Sequence, residues 1–240
     1  MKKFGFTLAE VLITLGIIGV VAALATPALV TSAGNAKVGP SLAKAVSTFT
    51  TANEMMLAQE EVGSITPGIF AVTGRTVSLW PTLSQYMKGS ILENVVMKYS
   101  GYRTGSYSPK VDGDNVIFGG GGTNSFASED GFFYYVHLRQ KVTPNASYAN
   151  IPSNQLIGEV FIDINGQAKP NKIGKDLFRF YLYNDGSLKA YGSEAFDKTR
   201  KASDIKELWN LNNNCNANGV NDANTCAGSI FENNRKIIYQ

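Results

Sequence analysis

A run of 26 residues without a charge, Val11–Ala36, is the feature that most constrains how this chain of 240 residues can fold. Its first part, Val11–Val30, is almost wholly apolar. At a rise of about 1.5 Å per residue it would span about 30 Å as a helix, which is the thickness of a bilayer core. Lys2 and Lys3 precede the run. The sequence therefore predicts a membrane segment close to residue 1.

Three kinds of segment fit an apolar run at this position. A removable secretory signal is one, because Ala23-Leu24-Ala25 supplies the small-x-small pattern of a cleavage site. An uncleaved anchor is another, with Lys2 and Lys3 held in the cytoplasm by the positive-inside rule. Neither explains Glu10, whose carboxylate costs about 2.5–3.5 kcal/mol inside a membrane and so needs a cationic partner. The third kind of segment is one in which Glu10 has a function.

The residues around Glu10 read Gly5-Phe6-Thr7-Leu8-Ala9-Glu10 after a short basic leader. Together with the apolar run, they resemble the prepilin motif of type IV pilins and type II secretion pseudopilins. The resemblance implies that a prepilin peptidase cleaves between Gly5 and Phe6 and N-methylates Phe6. It also implies that Glu10 pairs with the terminal amine of a neighbouring subunit. Two charges that are each costly in hydrocarbon neutralise each other in this way, which sets the axial stagger between helices.

The same resemblance implies a location and a set of partners. The chain would cross the bacterial inner membrane once, with its head on the periplasmic or extracellular side, in contact with lipid and with other pilin-like subunits. An inner-membrane assembly platform with a separate ATPase would supply the energy. The chain itself has no nucleotide motif, since the glycine run Gly119–Gly122 lacks the lysine of a Walker loop and the dinucleotide spacing. We expect a structural subunit and not an enzyme.

Four segments follow from these patterns. We expect a leader at residues 1–5, a hydrophobic transmembrane and assembly helix at 6–32, an amphipathic helix at 33–62, and a β-rich head at 63–240 that ends in a disulfide loop. In the amphipathic segment Leu42, Val46, Phe49 and Met56 fall on one helical stripe, with Asn53 as its polar gap. Pro27 and the Gly39-Pro40 pair invite kinks in a continuous helix.

The head is rich in strand and turn patterns, with 24 glycines in the whole chain. Alternating residues predict strands at Phe132–Leu138, Gly158–Gly166, Asp176–Tyr183 and Ser187–Tyr191, and Asn184-Asp185-Gly186 is a turn signal between the last two. These features predict an antiparallel meander. The expected fold class is α+β, a long N-terminal helix packed on an antiparallel sheet, as in pilins.

The one metal candidate lies between two of these strands. Asp163, Asn165 and Asp176 supply oxygens around the connection, and the resemblance implies calcium because some major pseudopilins hold it in a C-terminal loop. Asp163-Ile164-Asn165-Gly166 is only the start of an EF-hand-like string, and no glutamate ends it. Asp and Asn are also common turn residues. We therefore expect no cofactor, with calcium at these three residues as a weak alternative.

Cys215 and Cys226 close a loop of about a dozen residues in an Asn-rich segment. An isolated pair of thiols in an exported protein predicts a disulfide, which would contribute about 2–3 kcal/mol through loop-closure entropy. Many pilins have such a C-terminal bridge. Two free cysteines remain the alternative if the head stays in a reducing compartment.

Two other functions are open to the chain. It could be an exported binding or enzymatic domain that borrows an anchor, which a deep polar pocket around His137 would favour. His137 is the only histidine and has no Gly-x-Ser-x-Gly or Cys-x-x-Cys motif beside it, so a structural or surface role is expected.

The second alternative, a DNA-uptake pseudopilin, needs a basic and aromatic patch. The cations are too scattered for one: Arg75, Lys88, Lys98, Arg103 and Lys110. The net charge of +3 would also fall to +1 without the two leader lysines, so no nucleic-acid partner is expected.

Overall fold

The computed structural model describes residues 5–65, 69, 71–73, 76–92, 97–99, 116–118, 125–138, 156–166, 168, 173–191 and 226–232. Side chains are described over the same residues except 27–33, 71–73, 76–77, 97–99, 116–118, 229 and 232. The chain forms two compact units, Met1–Lys37 and Val38–Gln240.

The first helix, α1, extends over 52 residues, Leu8–Gln59. In the first unit the side chains of Leu8–Thr26 are all exposed, and among the described residues this is the one helical segment long and apolar enough to cross a membrane. Pro27 and Pro40 both lie inside α1, so neither ends the helix. Each proline lacks the backbone N–H that an interior helical residue donates, which leaves α1 without two of its hydrogen bonds.

Within the second unit, α1 contributes a buried stripe to the core. Leu42, Phe49 and Met56 are fully buried, and Val46 is half-buried against the same core. The amphipathic stripe predicted from their spacing is therefore confirmed. Asn53 lies in this stripe and is also fully buried.

A left-handed residue ends α1. Glu61 has φ of 53°, its N–H donates to the Ala58 carbonyl at 3.4 Å, and the N–H of Val62 donates to the Leu57 carbonyl at 3.0 Å. This pair of bonds is a Schellman motif, which satisfies carbonyls at the helix end that have no intrahelical partner. Val62 and Leu57 both pack against the core, which fixes the direction in which the chain leaves the helix.

The main sheet has six strands, each antiparallel to its neighbours, in the order β10-β9-β8-β7-β6-β3. Its strands are β3 (Gly89–Leu92), β6 (Ser125–Ser128), β7 (Phe133–Leu138), β8 (Leu156–Asp163), β9 (Leu177–Tyr183) and β10 (Leu188–Ala190). The predicted meander is confirmed, since β7 to β10 are neighbours in chain order. With the apolar N-terminal helix, this antiparallel sheet makes an α+β fold, consistent with a pilin-like one.

The remaining described elements are short. Two two-stranded ribbons pair β1 (Ala71–Thr73) with β2 (Thr76–Ser78) and β4 (Met97–Tyr99) with β5 (Val116–Phe118). Helix α2 covers Trp80–Leu83, and helix α3 covers Cys226–Glu232.

An aromatic cluster joins α1 to the sheet. Phe49 stacks on Tyr134 of β7 at 5.7 Å between ring centroids and meets Trp80 edge-on at 6.1 Å. Trp80 in turn stacks on Phe126 of β6 at 5.2 Å. The Tyr134 hydroxyl donates to the Ala45 carbonyl of α1 at 3.0 Å, and burial raises the pKa of Tyr134 well above its usual value. The hydroxyl therefore stays neutral, and it anchors the helix to the central part of the sheet.

The β9–β10 turn is held against α1 by a buried amide. Asn53 Nδ2 donates to the Gly186 carbonyl at 3.4 Å and to the Phe49 carbonyl at 3.2 Å. Gly186 has φ of 80°, and a Cβ atom placed on it would lie 3.0 Å from the Asn53 Cβ. The predicted Asn-Asp-Gly turn is thus confirmed, and its glycine is required by both conformation and space.

Gly186→Ala is expected to lower the free energy of unfolding by about 1–3 kcal/mol, because the alanine is strained at positive φ and crowds Asn53. Chemical unfolding of the detergent-solubilised chain measures the change. Gly131→Ala is the matched control, since Gly131 has φ of 84° but a Cβ there meets no atom within 4 Å. An equal decrease in the free energy of unfolding of the two variants would show that the crowding of Asn53 does not affect stability.

The opposite face of the sheet carries a largely buried ion pair. Arg179 of β9 donates to Glu159 of β8 at 2.8 Å, and both side chains are less than a fifth exposed. The guanidinium lies 4.5 Å from the ring centroid of Tyr191 and 5.5 Å from that of Tyr181. Since neighbouring residues on a strand point to opposite faces, Arg179 lies away from the core residues Phe178 and Phe180.

Candidate functional site

The N-terminus of α1 is closed by reciprocal hydrogen bonds between Thr7 and Glu10. The Glu10 backbone N–H donates to Thr7 Oγ1 at 3.3 Å, and the Thr7 backbone N–H donates to Glu10 Oε2 at 2.8 Å. The Thr7 hydroxyl donates to the same Oε2 atom at 2.8 Å. Each side chain satisfies a backbone group of the other residue, so the pair is a capping box with Thr7 as N-cap.

Every other polar side chain of the apolar segment is satisfied within the helix. The Thr14 hydroxyl lies 2.9 Å from the carbonyls of Glu10 and Val11, and the Thr26 hydroxyl donates to the Ala22 carbonyl at 2.6 Å. A hydroxyl bonded in this way can enter hydrocarbon at little cost. The carboxylate of Glu10 is therefore the one group of this segment that brings a charge into apolar surroundings.

The predicted cleavage point lies immediately before the cap. Residues 5–7 are outside α1, and the Phe6 side chain is 89% exposed. A Cβ on Gly5 would meet no atom within 4 Å. The bond between Gly5 and Phe6 is thus in non-helical and accessible backbone, while the residues before Gly5 lie outside the described part of the chain.

Comparison with known proteins identifies this segment. Residues 1–26 match the family model of the prokaryotic N-terminal methylation motif. The chain carries the prepilin-type signature of type IV pilins and pseudopilins. No curated protein and no solved structure matches the chain. The prepilin-type signature is typical of structural, membrane-anchored pilin subunits, and the apolar part of α1 fits that class.

The charge pattern of the segment predicts no role for Thr7, although the sequence contains a signal for one. The spacing Thr-x-x-Glu immediately before an apolar run is the sequence pattern of a capping box. Interpreting Glu10 by its charge alone overlooks this local role. The structure therefore gives Thr7 a local role beside Glu10 in the prepilin-type segment.

The three calcium candidates are brought close together by β8 and β9. The Asn165 N–H donates to Asp163 Oδ1 at 2.9 Å, and the Ile164 N–H donates to the Asp176 carbonyl at 2.9 Å. Asp163 and Asp176 are both buried. Over the described residues, no group of three or more His, Cys, Asp or Glu side chains could hold a metal ion. The geometry is that of an Asx turn between strands, and calcium binding stays a prediction.

The predicted disulfide is only half within the described residues. Cys226 is fully buried at the first position of α3, beside the buried Ala227 and Ile230. Cys215 lies outside the described residues, so the bridge between them stays a prediction. A hydrogen bond from the Gly228 N–H to the Tyr191 carbonyl, at 3.0 Å, places α3 at the end of β10.

His137 lies on β7, opposite Glu159 of β8, with an exposed side chain. A groove of about 510 Å³ lies elsewhere in the second unit. It is lined by α1, the segment after α2 and the β6–β7 turn, and includes an ion pair of 3.0 Å between Lys44 and Asp130. His137 is not among the residues that line this groove.

The cations considered for a nucleic-acid patch fall mostly outside the described part of the chain. Lys88 is exposed, and it lines the groove. Arg75, Arg103 and Lys110 are outside the described residues, as is the side chain of Lys98. The expectation of no nucleic-acid partner stays a prediction.

Proposed function

We propose that this protein is a structural subunit of a type II secretion pseudopilus or a type IV pilus. Its leader is removed between Gly5 and Phe6 by a prepilin peptidase, which methylates Phe6, and its N-terminal helix then enters a filament. The observation that carries the proposal is the match of residues 1–26 to the methylation motif. The capped helix with one carboxylate in its apolar segment supports the proposal.

The apolar surface of α1 has two successive environments in this scheme. All the side chains of Leu8–Thr26 are exposed in the isolated chain, and most of them are large and apolar. Before assembly they contact lipid, and after assembly they contact the same segment of other subunits. Helix packing in either environment buries this surface without any change in the fold of the second unit.

Glu10 then acts through its charge. The amine of Phe6 on one subunit pairs with the Glu10 carboxylate of the next, and each neutralises the other in apolar surroundings. A subunit inserted at the wrong height leaves both charges unpaired, at a cost of several kcal/mol. The pair therefore selects one axial position between adjacent helices.

The orientation follows from the leader. Lys2 and Lys3 stay in the cytoplasm, the helix crosses the inner membrane, and the second unit lies on the periplasmic or extracellular side. Assembly draws on an inner-membrane platform and a separate ATPase. The oxidising periplasmic or extracellular side also permits a disulfide between Cys215 and Cys226.

The test is mass spectrometry of the mature N-terminus from cells that contain the prepilin peptidase. We expect N-methylated Phe6 as the first residue, and the unprocessed chain in cells that lack the peptidase. A mature protein that begins after Ala25 would instead identify a secretory signal, and would overturn the proposal. An uncleaved chain in peptidase-containing cells would overturn it too, in favour of a plain anchor.

A further inference from the structure

The Asn165-Gly166 pair lies just beyond β8, which ends at Asp163. The two backbone amides before Gly166 are both hydrogen-bonded. The Ile164 N–H donates to the Asp176 carbonyl at 2.9 Å, and the Asn165 N–H donates to Asp163 Oδ1 at 2.9 Å. The Gly166 N–H makes no hydrogen bond within the part of the chain that the structure describes. Its nitrogen is therefore not engaged by the turn.

The side-chain amide of Asn165 is not anchored either. Its Oδ1 atom is buried and has no hydrogen-bond partner, and its Nδ2 atom donates to no group among the described residues. Asn53 shows the opposite arrangement, because its Nδ2 atom donates to the carbonyls of Phe49 and Gly186. An amide oxygen that is buried without a partner is unfavourable. No hydrogen bond thus resists rotation of the Asn165 side chain.

The fold requires glycine at position 166. Gly166 has φ of 62°, and a Cβ atom placed on it would lie 3.1 Å from the Gly131 carbonyl oxygen and 3.3 Å from Phe133 Cε1. Both the conformation and the lack of space exclude a larger residue. A side chain on the residue after an asparagine hinders attack by the backbone nitrogen of that residue. The structure therefore keeps the Gly166 nitrogen free of this hindrance.

An asparagine followed by an unhindered backbone nitrogen can lose ammonia. The Gly166 nitrogen attacks Cγ of Asn165, the N–Cγ bond closes a five-membered imide, and the Cγ–Nδ2 bond breaks. Nδ2 leaves as ammonia and takes up the proton that the Gly166 nitrogen loses. Water then adds to the imide and breaks one of its two C–N bonds, which gives an aspartate or an isoaspartate at position 165. Because the reacting atoms belong to neighbouring residues, they are held close together without any further binding.

We propose that Asn165 is a deamidation site in the folded protein, with the Gly166 nitrogen as nucleophile and water as the second reactant. Asn165 is only half-buried, so water reaches the imide. Either product adds a carboxylate to a connection that already holds the buried Asp163 and Asp176, where like charges repel. The proposal concerns the second unit and does not depend on the proposed function.

The test compares the folded and the unfolded chain. The full-length protein in detergent is incubated at mildly alkaline pH with a chelator, and a second sample is incubated at the same pH in guanidinium chloride. Mass spectrometry of the peptide that contains Asn165 measures the conversion, and electron-transfer fragmentation distinguishes isoaspartate from aspartate. We expect the folded chain to react within about threefold of the rate in the unfolded chain, because no hydrogen bond has to open first. We also expect isoaspartate among the products.

Asn165→Gln is the matched control. Glutamine keeps the amide, but its extra methylene means that the same attack has to close a six-membered ring, so we expect loss of ammonia at this position at least about tenfold more slowly. An equal rate in Asn165→Gln would overturn the role of the Gly166 nitrogen. Aspartate as the sole product would overturn it as well, since direct hydrolysis forms no imide. A folded chain that reacts more than about tenfold more slowly than the unfolded one would show that the fold protects Asn165, and would overturn the proposal.

Discussion

Glu10→Ala is expected to lower filament incorporation at least about a hundredfold, while membrane insertion and cleavage between Gly5 and Phe6 persist. Insertion persists because the substitution removes a charge from the apolar segment. Assembly fails because the Phe6 amine of a neighbouring subunit is left unpaired in apolar surroundings, and loss of one partner of such a pair costs about 3–5 kcal/mol. The loss of the cap with Thr7 adds to this effect.

The measurement compares filament and membrane fractions from cells that express each variant, with mass spectrometry of Phe6 to show that processing is equal. Glu54→Ala is the control, because Glu54 is an exposed carboxylate on the same helix but in the second unit. Assembly of processed Glu10→Ala at the level of the unmodified chain would contradict the charge pair. An equal loss of filament incorporation in Glu54→Ala would show that the effect of Glu10→Ala does not depend on the position of the carboxylate on α1.

Phe49→Ala is expected to lower the free energy of unfolding of the second unit by about 3–5 kcal/mol. Phe49 is fully buried, stacks on Tyr134 and meets Trp80 edge-on, so its removal opens a cavity where α1 packs on β7. The two rings that contact it belong to different elements, Tyr134 to β7 and Trp80 to α2, so they cannot both move in to fill the space. Denaturant unfolding in detergent measures the change, with tryptophan fluorescence as the signal because one of the two tryptophans, Trp80, lies within this cluster.

Met55→Ala is the matched control for Phe49→Ala. Met55 is on the same helix and is 53% exposed, so its truncation should change stability by less than about 0.5 kcal/mol. A small effect of Phe49→Ala would mean that α1 does not contribute to the core of the second unit. A large loss of stability in Met55→Ala would indicate that the exposed side chain of Met55 makes a stabilising contact.

Local patterns were sufficient for much of the fold. Leu42, Phe49 and Met56 are buried as their helical spacing predicts, and the Asn184-Asp185-Gly186 turn joins β9 to β10. These features depend on periodicity and on turn chemistry over a few residues. The predicted ends of the strands also differ from the observed ones by only a few residues, because alternation stops where turn residues begin.

Other features depend on residues that are far apart in the chain. The sixth strand, β3, pairs with β6 through contacts such as Ser90 with Ala127, and no pattern near either strand indicates the pairing. Asn53 and Gly186 are 133 residues apart and meet only because α1 crosses the end of the β9–β10 hairpin. The helical spacing identifies Asn53 only as a polar gap in the apolar stripe. In the structure its amide donates to the Gly186 carbonyl and so connects α1 to the β9–β10 turn.

At the candidate site, too, some features follow from the sequence pattern and others are shown only by atomic positions. Residue types and spacing alone determine the uncharged segment, the place of Glu10 and the match to a methylation motif, because each belongs to a continuous stretch of fewer than 30 residues. They also determine that the chain pairs a membrane-competent helix with a β-rich body. Only the three-dimensional structure shows that Thr7 holds one oxygen of Glu10 and that Tyr134 and Asn53 connect α1 to the sheet. The reason is physical, since the direction of a hydrogen bond and the partner of a buried side chain depend on atomic positions that residue order does not specify.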